Sequence, residues 1–319
     1  MPSRLLSRQR WFSRPLPALA VAAALLALPT PAPVAAAEQP AGELLIRCDD
    51  VGMCHAVNLA VRQLIATGVP FSASVMFACP WYGEAAAILA QHPQVSVGVH
   101  LTLNSEWEHY KWGPVLGRSR VPSLVDADGH FFPTEEAFTA RGVDLKEVEA
   151  ELRAQIDRAK STGLRIDYLD VHMQTAYSTP ELRALVETLA RDYRLGIATY
   201  FGERSGTMWA VPPERKLSAL LGFVGEGGGG LKLLVAHLGL DNDEMTALVD
   251  VNWPTDPFRV ARHRQAELDA VSSPAFRASV AAAGLELITY RQLIERKGLA
   301  AMKRPEQASG YTVELTGAK

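Results

Sequence analysis

The stretch Leu44-Leu45-Ile46-Arg47-Cys48-Asp49-Asp50-Val51-Gly52 constrains the chain more than any other. Three apolar residues run into two adjacent carboxylates and a glycine, the pattern of a buried parallel strand ended by a turn. Neighbouring carboxylates at the tip of a buried strand repel each other and lose hydration, so they require a cation or a shared proton. Asp is also a good helix N-cap, and on this stretch alone the two readings balance. The rest of the chain decides between them.

A strand–helix alternation follows. Helical periodicity over Ala56–Ala66 ends at Gly68; a strand is expected over Phe71–Ala78, a helix over Trp81–Gln91 and a strand over Val95–Leu101. Further on, helices are expected over Asp144–Lys160 and Pro180–Tyr193, and strands over Arg165–His172, Leu195–Tyr200 and Leu231–His237. A mostly helical Pro257–Ala283, interrupted around Ser272-Ser273-Pro274, leads to a strand over Leu285–Thr289 and a short helix over Arg291–Lys297. Seven strands alternating with helices predict an α/β fold with a parallel sheet or barrel.

Two segments break the rhythm: 102–142, crowded with aromatics, and 201–230, which ends in four consecutive glycines. A strand follows those glycines where a phosphate cradle would lead into a helix, so they read as a flexible loop. In the first segment Trp107, Tyr110 and Trp112 could pin the loop, or form a stacking floor for an apolar-faced ligand such as a sugar ring; a mixture of both is expected. Residues 304–319 read as a loose tail.

Before this domain, Arg4, Arg8, Arg10 and Arg14 precede the apolar run Pro17–Leu28, and Ala35-Ala36-Ala37 offers a cleavage site before Glu38. That pattern predicts a secretory signal peptide over 1–37, a single domain over 38–303, and an exported product, periplasmic in a Gram-negative source. No later stretch is a membrane span. Export would permit one disulfide among Cys48, Cys54 and Cys79, whose spacing matches no usual zinc pattern; small buried side chains are the better reading. A net charge of −3 gives no reason to expect nucleic acid or anionic lipid as a partner.

On this map Asp49 and Asp50 end the first strand, His100 lies near the end of the third, and His172 and His237 end the fourth and sixth. Active sites of parallel α/β folds sit at the carboxyl ends of strands. A lone histidine there is usually structural, whereas three with an Asp pair point to a site. One Asp with two His would hold a divalent metal and leave positions open, as catalytic sites do. The second Asp could then act as general base and the third His, staying protonated, could assist a leaving amine, which gives metal-assisted hydrolysis of an amide or ester. His55, His92, His109 and His130 fall in helices or loops and read as surface residues. Asp170 shares a strand face with His172 and could orient a ligand or pair with Arg47.

The same residues carry a family resemblance. Cys48-Asp49-Asp50-Val51-Gly52, Val97-Gly98-Val99-His100-Leu101, Leu169-Asp170-Val171-His172 and Val235-Ala236-His237 resemble the YdjC-like carbohydrate deacetylases, a group that includes chito-oligosaccharide deacetylases. Glu267-Leu268 and Gly284–Ile288 look like that family's C-terminal region, and Arg264 resembles a family position, with a solvated helical charge as its bland reading. The resemblance implies a distorted seven-stranded (β/α) barrel with one divalent metal, zinc or magnesium. It implies Asp50, His100 and His172 as ligands, Asp49 as base and His237 as acid, acting on an N-acetylated amino sugar or related glycan. Asn104, Trp107 and Trp112 are the candidate substrate contacts. Met173, Gln174, Thr175 and Ala176 stand where the better-understood relatives carry further histidines, so chito-oligosaccharides are not carried over as substrate. Two other classes compete: a non-haem iron oxygenase, which the same ligand set would suit, and a non-catalytic exported glycan-binding protein.

Overall fold

The computed structural model describes residues 40–227, 229–253, 259–306 and 313–315. The expected signal peptide over 1–37 lies outside them.

Strand β1 (Gly42–Val51) is buried from Leu44 onward, which is why Leu44-Leu45-Ile46 is a continuous apolar run and not an alternation. Helix α1 (His55–Thr67) returns along the sheet and stops at Gly68, whose left-handed φ of 74° suits glycine. Next come β2 (Ser72–Val75), α2 (Tyr82–Ala90), β3 (Ser96–Leu101), α3 (Glu135–Ala140), α4 (Leu145–Ser161), β4 (Ile166–Val171), α5 (Pro180–Tyr193) and β5 (Gly196–Ile197). The second half holds β6 (Arg204–Thr207), α6 (Lys216–Gly225), β7 (Leu231–Ala236), α7 (Asp243–Thr246), α8 (Arg259–Ser272) and α9 (Pro274–Ala282). It closes with β8 (Leu285–Ile288), α10 (Tyr290–Lys297) and β9 (Val313–Glu314).

All strand pairings are parallel, in the order β5-β4-β3-β2-β1-β7-β6-β9, with β8 beside the first residues of β1. No pairing joins β5 to β6 or β9 among the described residues, so this distorted barrel is open on that side. Parallel strands place their carboxyl ends together, and those of β1, β3, β4 and β7 share one rim.

The seven expected strands correspond to β1–β5, β7 and β8, and the break at Ser273 separates α8 from α9. Three expectations need correction, the first being that segment 102–142 is all loop, since α3 lies within it. Segment 201–230 is not simply irregular: it contains β6 and α6, and β6 pairs with β7. Its short strand, Arg204-Ser205-Gly206-Thr207, is poor in apolar residues because it lies towards the sheet edge, so periodicity does not reveal it. Within the tail, β9 pairs with β6. No helix of the described residues is long and apolar enough to cross a membrane. The three cysteines are buried and free, as small interior side chains.

Candidate metal centre and catalytic cavity

β1 does not end smoothly. Its register with β2 shifts between Cys48 and Val51, and Asp50 adopts a left-handed φ of 61°. A bulge of this kind re-aims side chains, and a non-glycine residue held there marks a site under constraint. It lets consecutive residues serve one cavity, whereas a regular strand would send them to opposite faces.

The Asp50 carboxylate faces both neighbouring histidines. Its Oδ1 lies 3.1 Å from Nδ1 of His172 and 3.4 Å from Nε2 of His100, yet this buried oxygen completes no hydrogen bond among the described residues. Its Oδ2 accepts from Nη2 of Arg264 at 2.5 Å. Burial opposes the ionised form, but Arg264, His100 and His172 outweigh it and hold Asp50 well below the usual carboxylate range. Asp49 is committed differently. Arg47 grips it from two sides, Nε to Oδ1 and Nη2 to Oδ2, both at 2.7 Å. The remaining Nη1 of Arg47 reaches Asp170 Oδ1 at 2.8 Å.

Asp170 is the β4 residue opposite His100 on β3, and its Oδ2 lies 2.9 Å from His100 Nδ1. It therefore does both things considered for it, orienting a histidine and pairing with Arg47. On the second histidine, His172 Nε2 lies 3.0 Å from Oε2 of Glu106. Burial disfavours charge on both rings, but the carboxylates win: Asp170 and Asp49 raise His100 to about 9, and Glu106 and Asp50 raise His172 to about 10.

Arg47, Asp49, Asp50, His100, Glu106, Asp170, His172 and Arg264 are each at most 4 % exposed. In formal charge, the four carboxylates exceed the two guanidiniums by two negative charges. Two buried uncompensated charges are costly, so two imidazolium ions or one divalent cation are needed to balance them. Oxygen and nitrogen atoms of Asp50, His100 and His172 lie within 4.8 Å of one another, a spacing one ion can bridge. The orphaned Asp50 oxygen, the two facing nitrogens and the charge deficit all fit a divalent metal.

The remaining expected residues separate. His237 follows β7, on the other flank of β1, and lines the same cavity of about 360 Å³. Its ring packs edge-on against Trp209 at 5.0 Å, and its buried Nδ1 has no hydrogen-bond partner among the described residues. Burial pushes it below its ordinary value despite Asp50, Glu267 and Asp49. Trp107 reaches the cavity wall, whereas Asn104 and Trp112 do not line it. Both are buried in loop packing: Trp112 Nε1 donates to the Asn104 carbonyl at 3.0 Å, and Asn104 Oδ1 accepts from Thr175 Oγ1 at 3.0 Å. Instead of the substrate contacts expected of them, both anchor the long loop.

Met173 and Gln174 line the cavity with left-handed φ values of 48° and 60°. Sequence reading missed Glu106 as a partner of His172, and Trp209 as a wall. It also underrated Arg264, which is buried against Asp50 with the Trp107 and Trp209 rings 5.8 and 5.3 Å away. The only available signal was a charge set among aromatics or in an otherwise amphipathic helix.

The sequence pattern described as "YdjC-like protein" matches residues 43–282. A carbohydrate deacetylase of Geobacillus stearothermophilus is 29 % identical over 259 residues, covering 78 % of this chain and 96 % of the relative. One from Vibrio campbellii is 23 % identical, covering 82 % of this chain and all of the relative (100 %). A solved Enterococcus faecalis protein, described as a candidate cellobiose-phosphate cleavage protein, shares the fold with a TM-score of 0.63 at 24 % identity, covering 79 % of this chain and 98 % of that one. With a family match spanning β1 to α9, the chain belongs to the YdjC-like protein family.

Proposed function

We propose that this chain is an exported metal-dependent hydrolase that removes the acetyl group from an N-acetylated amino sugar or related glycan. The observation that carries the reading is the buried triangle of Asp50, His100 and His172, with its unpaired Asp50 oxygen and carboxylates that outnumber the buried guanidiniums by two. Two imidazole nitrogens and one carboxylate favour zinc over magnesium, which prefers oxygen ligands. When bound there, the ion supplies electrophilic polarisation of a carbonyl and acidification of a water. The deacetylase relatives support the choice of an acetylated sugar, and the arginine-led apolar run before Glu38 supports export.

The chain's own groups divide the remaining work. Arg47 holds both oxygens of Asp49 and orients the carboxylate as the base that takes the attacking water's proton. His237, on the opposite flank of β1, serves the departing amine. Burial lowers its proton affinity, so as an acid it gives up a proton readily. Trp209, only partly buried at the cavity wall, offers its ring for the sugar. Acetate release from a panel of acetylated amino sugars and glycan oligomers tests the reading, using metal-stripped protein reloaded with zinc or magnesium. Metal-dependent release that disappears in Asp49→Asn is expected. Tight glycan binding without release by any metal form would overturn hydrolysis in favour of a binding protein.

A further inference from the structure

Each candidate metal-ligating histidine has one nitrogen in the Asp50 triangle and the other against a carboxylate. For His100 that carboxylate is Asp170, its cross-strand neighbour, 2.9 Å from Nδ1. For His172 it is Glu106, 3.0 Å from Nε2, while Nδ1 faces Asp50 Oδ1 at 3.1 Å and His100 Nε2 at 3.3 Å. Flipping the His172 ring would place carbons against both carboxylates and lose both polar contacts, so the two acids together select this orientation.

Glu106 differs from Asp49, Asp50 and Asp170 in that it comes from the loop after β3 and not from a strand. That loop is tied down on both sides of it. The Ser105 amide donates to the Phe132 carbonyl at 2.9 Å, the Val251 amide to the Glu106 carbonyl at 3.0 Å and the Glu108 amide to the Val249 carbonyl at 2.9 Å. Trp107 Nε1 donates to Met53 Sδ at 3.2 Å. A side chain placed by so many neighbours keeps its direction without the metal, and Glu106 is 3 % exposed.

We propose that Glu106 is a positioning residue. It accepts the Nε2 proton of His172 and thereby fixes the tautomer whose Nδ1 is free to ligate the metal at Asp50 and His100. It is not itself in the ligand triangle, which comprises Asp50, His100 and His172. Opposing carboxylates on ligating histidines raise ligand basicity and hold the ring, and losing one costs roughly 10–100-fold in metal affinity. The aromatic loop thus does more than pack, because its tryptophans and Asn104 anchor the segment that delivers Glu106. This inference rests on the metal reading of the proposed function.

Zinc competition against a chromophoric chelator tests it on the purified full chain and its Glu106→Ala and Glu106→Gln variants. Glu106→Ala should bind zinc about 10–100-fold more weakly. Glu106→Gln should recover most of that loss, because its amide oxygen still accepts the Nε2 proton. A purely structural role would lower the melting temperature of both metal-free variants without separating their zinc affinities. Nitrogen NMR of zinc-loaded wild-type protein gives an answer independent of any variant's folding: His172 should carry its proton on Nε2 and zinc on Nδ1. Zinc on Nε2, or unchanged affinity in Glu106→Ala, overturns the role of Glu106. Absence of zinc and magnesium binding by the wild type overturns the metal reading itself.

Discussion

On one flank of β1, His100 and His172 are matched to Asp170 and Glu106 and are pushed up to about 9 and about 10. On the other flank, His237 rests on the Trp209 ring, lacks a partner at Nδ1 and is pushed down. All three are strand-end histidines of one cavity. Burial acts on each in the same direction, so the presence of a contacting carboxylate decides which sign wins. The first flank is built to hold positive charge; the second offers a buried imidazole of lowered proton affinity and aromatic walls.

The sharpest break between the flanks comes from Asp50→Asn. Asn tolerates the left-handed backbone at this position, so the substitution removes charge without imposing a new strain. Zinc affinity should fall by more than the roughly 10–100-fold that an outer partner costs, with activity lost alongside. Isothermal titration of the variant measures it; an affinity equal to wild type would remove the charge-balance argument. Asp49→Asn should separate chemistry from binding, lowering kcat about 10²–10⁴-fold while zinc affinity stays close to wild type. Equal losses in both would place Asp49 in the metal shell.

A pH series sharpens the electrostatic side. In the metal-free protein the folded values of His100 and His172 lie above their ordinary 6.5, so their stabilisation is complete below that pH and is lost as pH rises through about 9 and about 10. Zinc takes neutral imidazole, so its binding releases protons and its apparent affinity climbs over the same window. The melting temperature of the metal-free protein should therefore drop towards about pH 10 as proton competition for zinc declines; a flat pair of profiles would contradict the assigned partners. The smallest effect is expected on the second flank. Trp209→Ala should weaken sugar stacking by about 0.5–1.5 kcal/mol, a severalfold rise in KM with kcat little changed. A loss of zinc affinity there would show that the flanks are not independent.

Much of this was legible in the chain. Short apolar runs leading to an ionisable residue mark β1, β3 and β7, because strands buried on both faces are rich in apolar residues. Asp50, His100 and His172 could be brought to one rim from strand order alone, since parallel strands align their carboxyl ends. The short, polar β6 and β9 carry no such period; neighbouring strands determine them.

What only the tertiary structure decided is how these charges are paired. Arg47 and Asp49 share a strand, yet the bulge and left-handed Asp50 that let both aspartates serve the cavity are invisible to periodicity. Arg264 lies 214 residues from Asp50, and Glu106 lies 66 from His172. Sequence determines which residues arrive at the rim because strand direction is a local property. It does not determine which histidine is charged, because that depends on the nearest carboxylate and on lost water, and both are set by how distant segments pack.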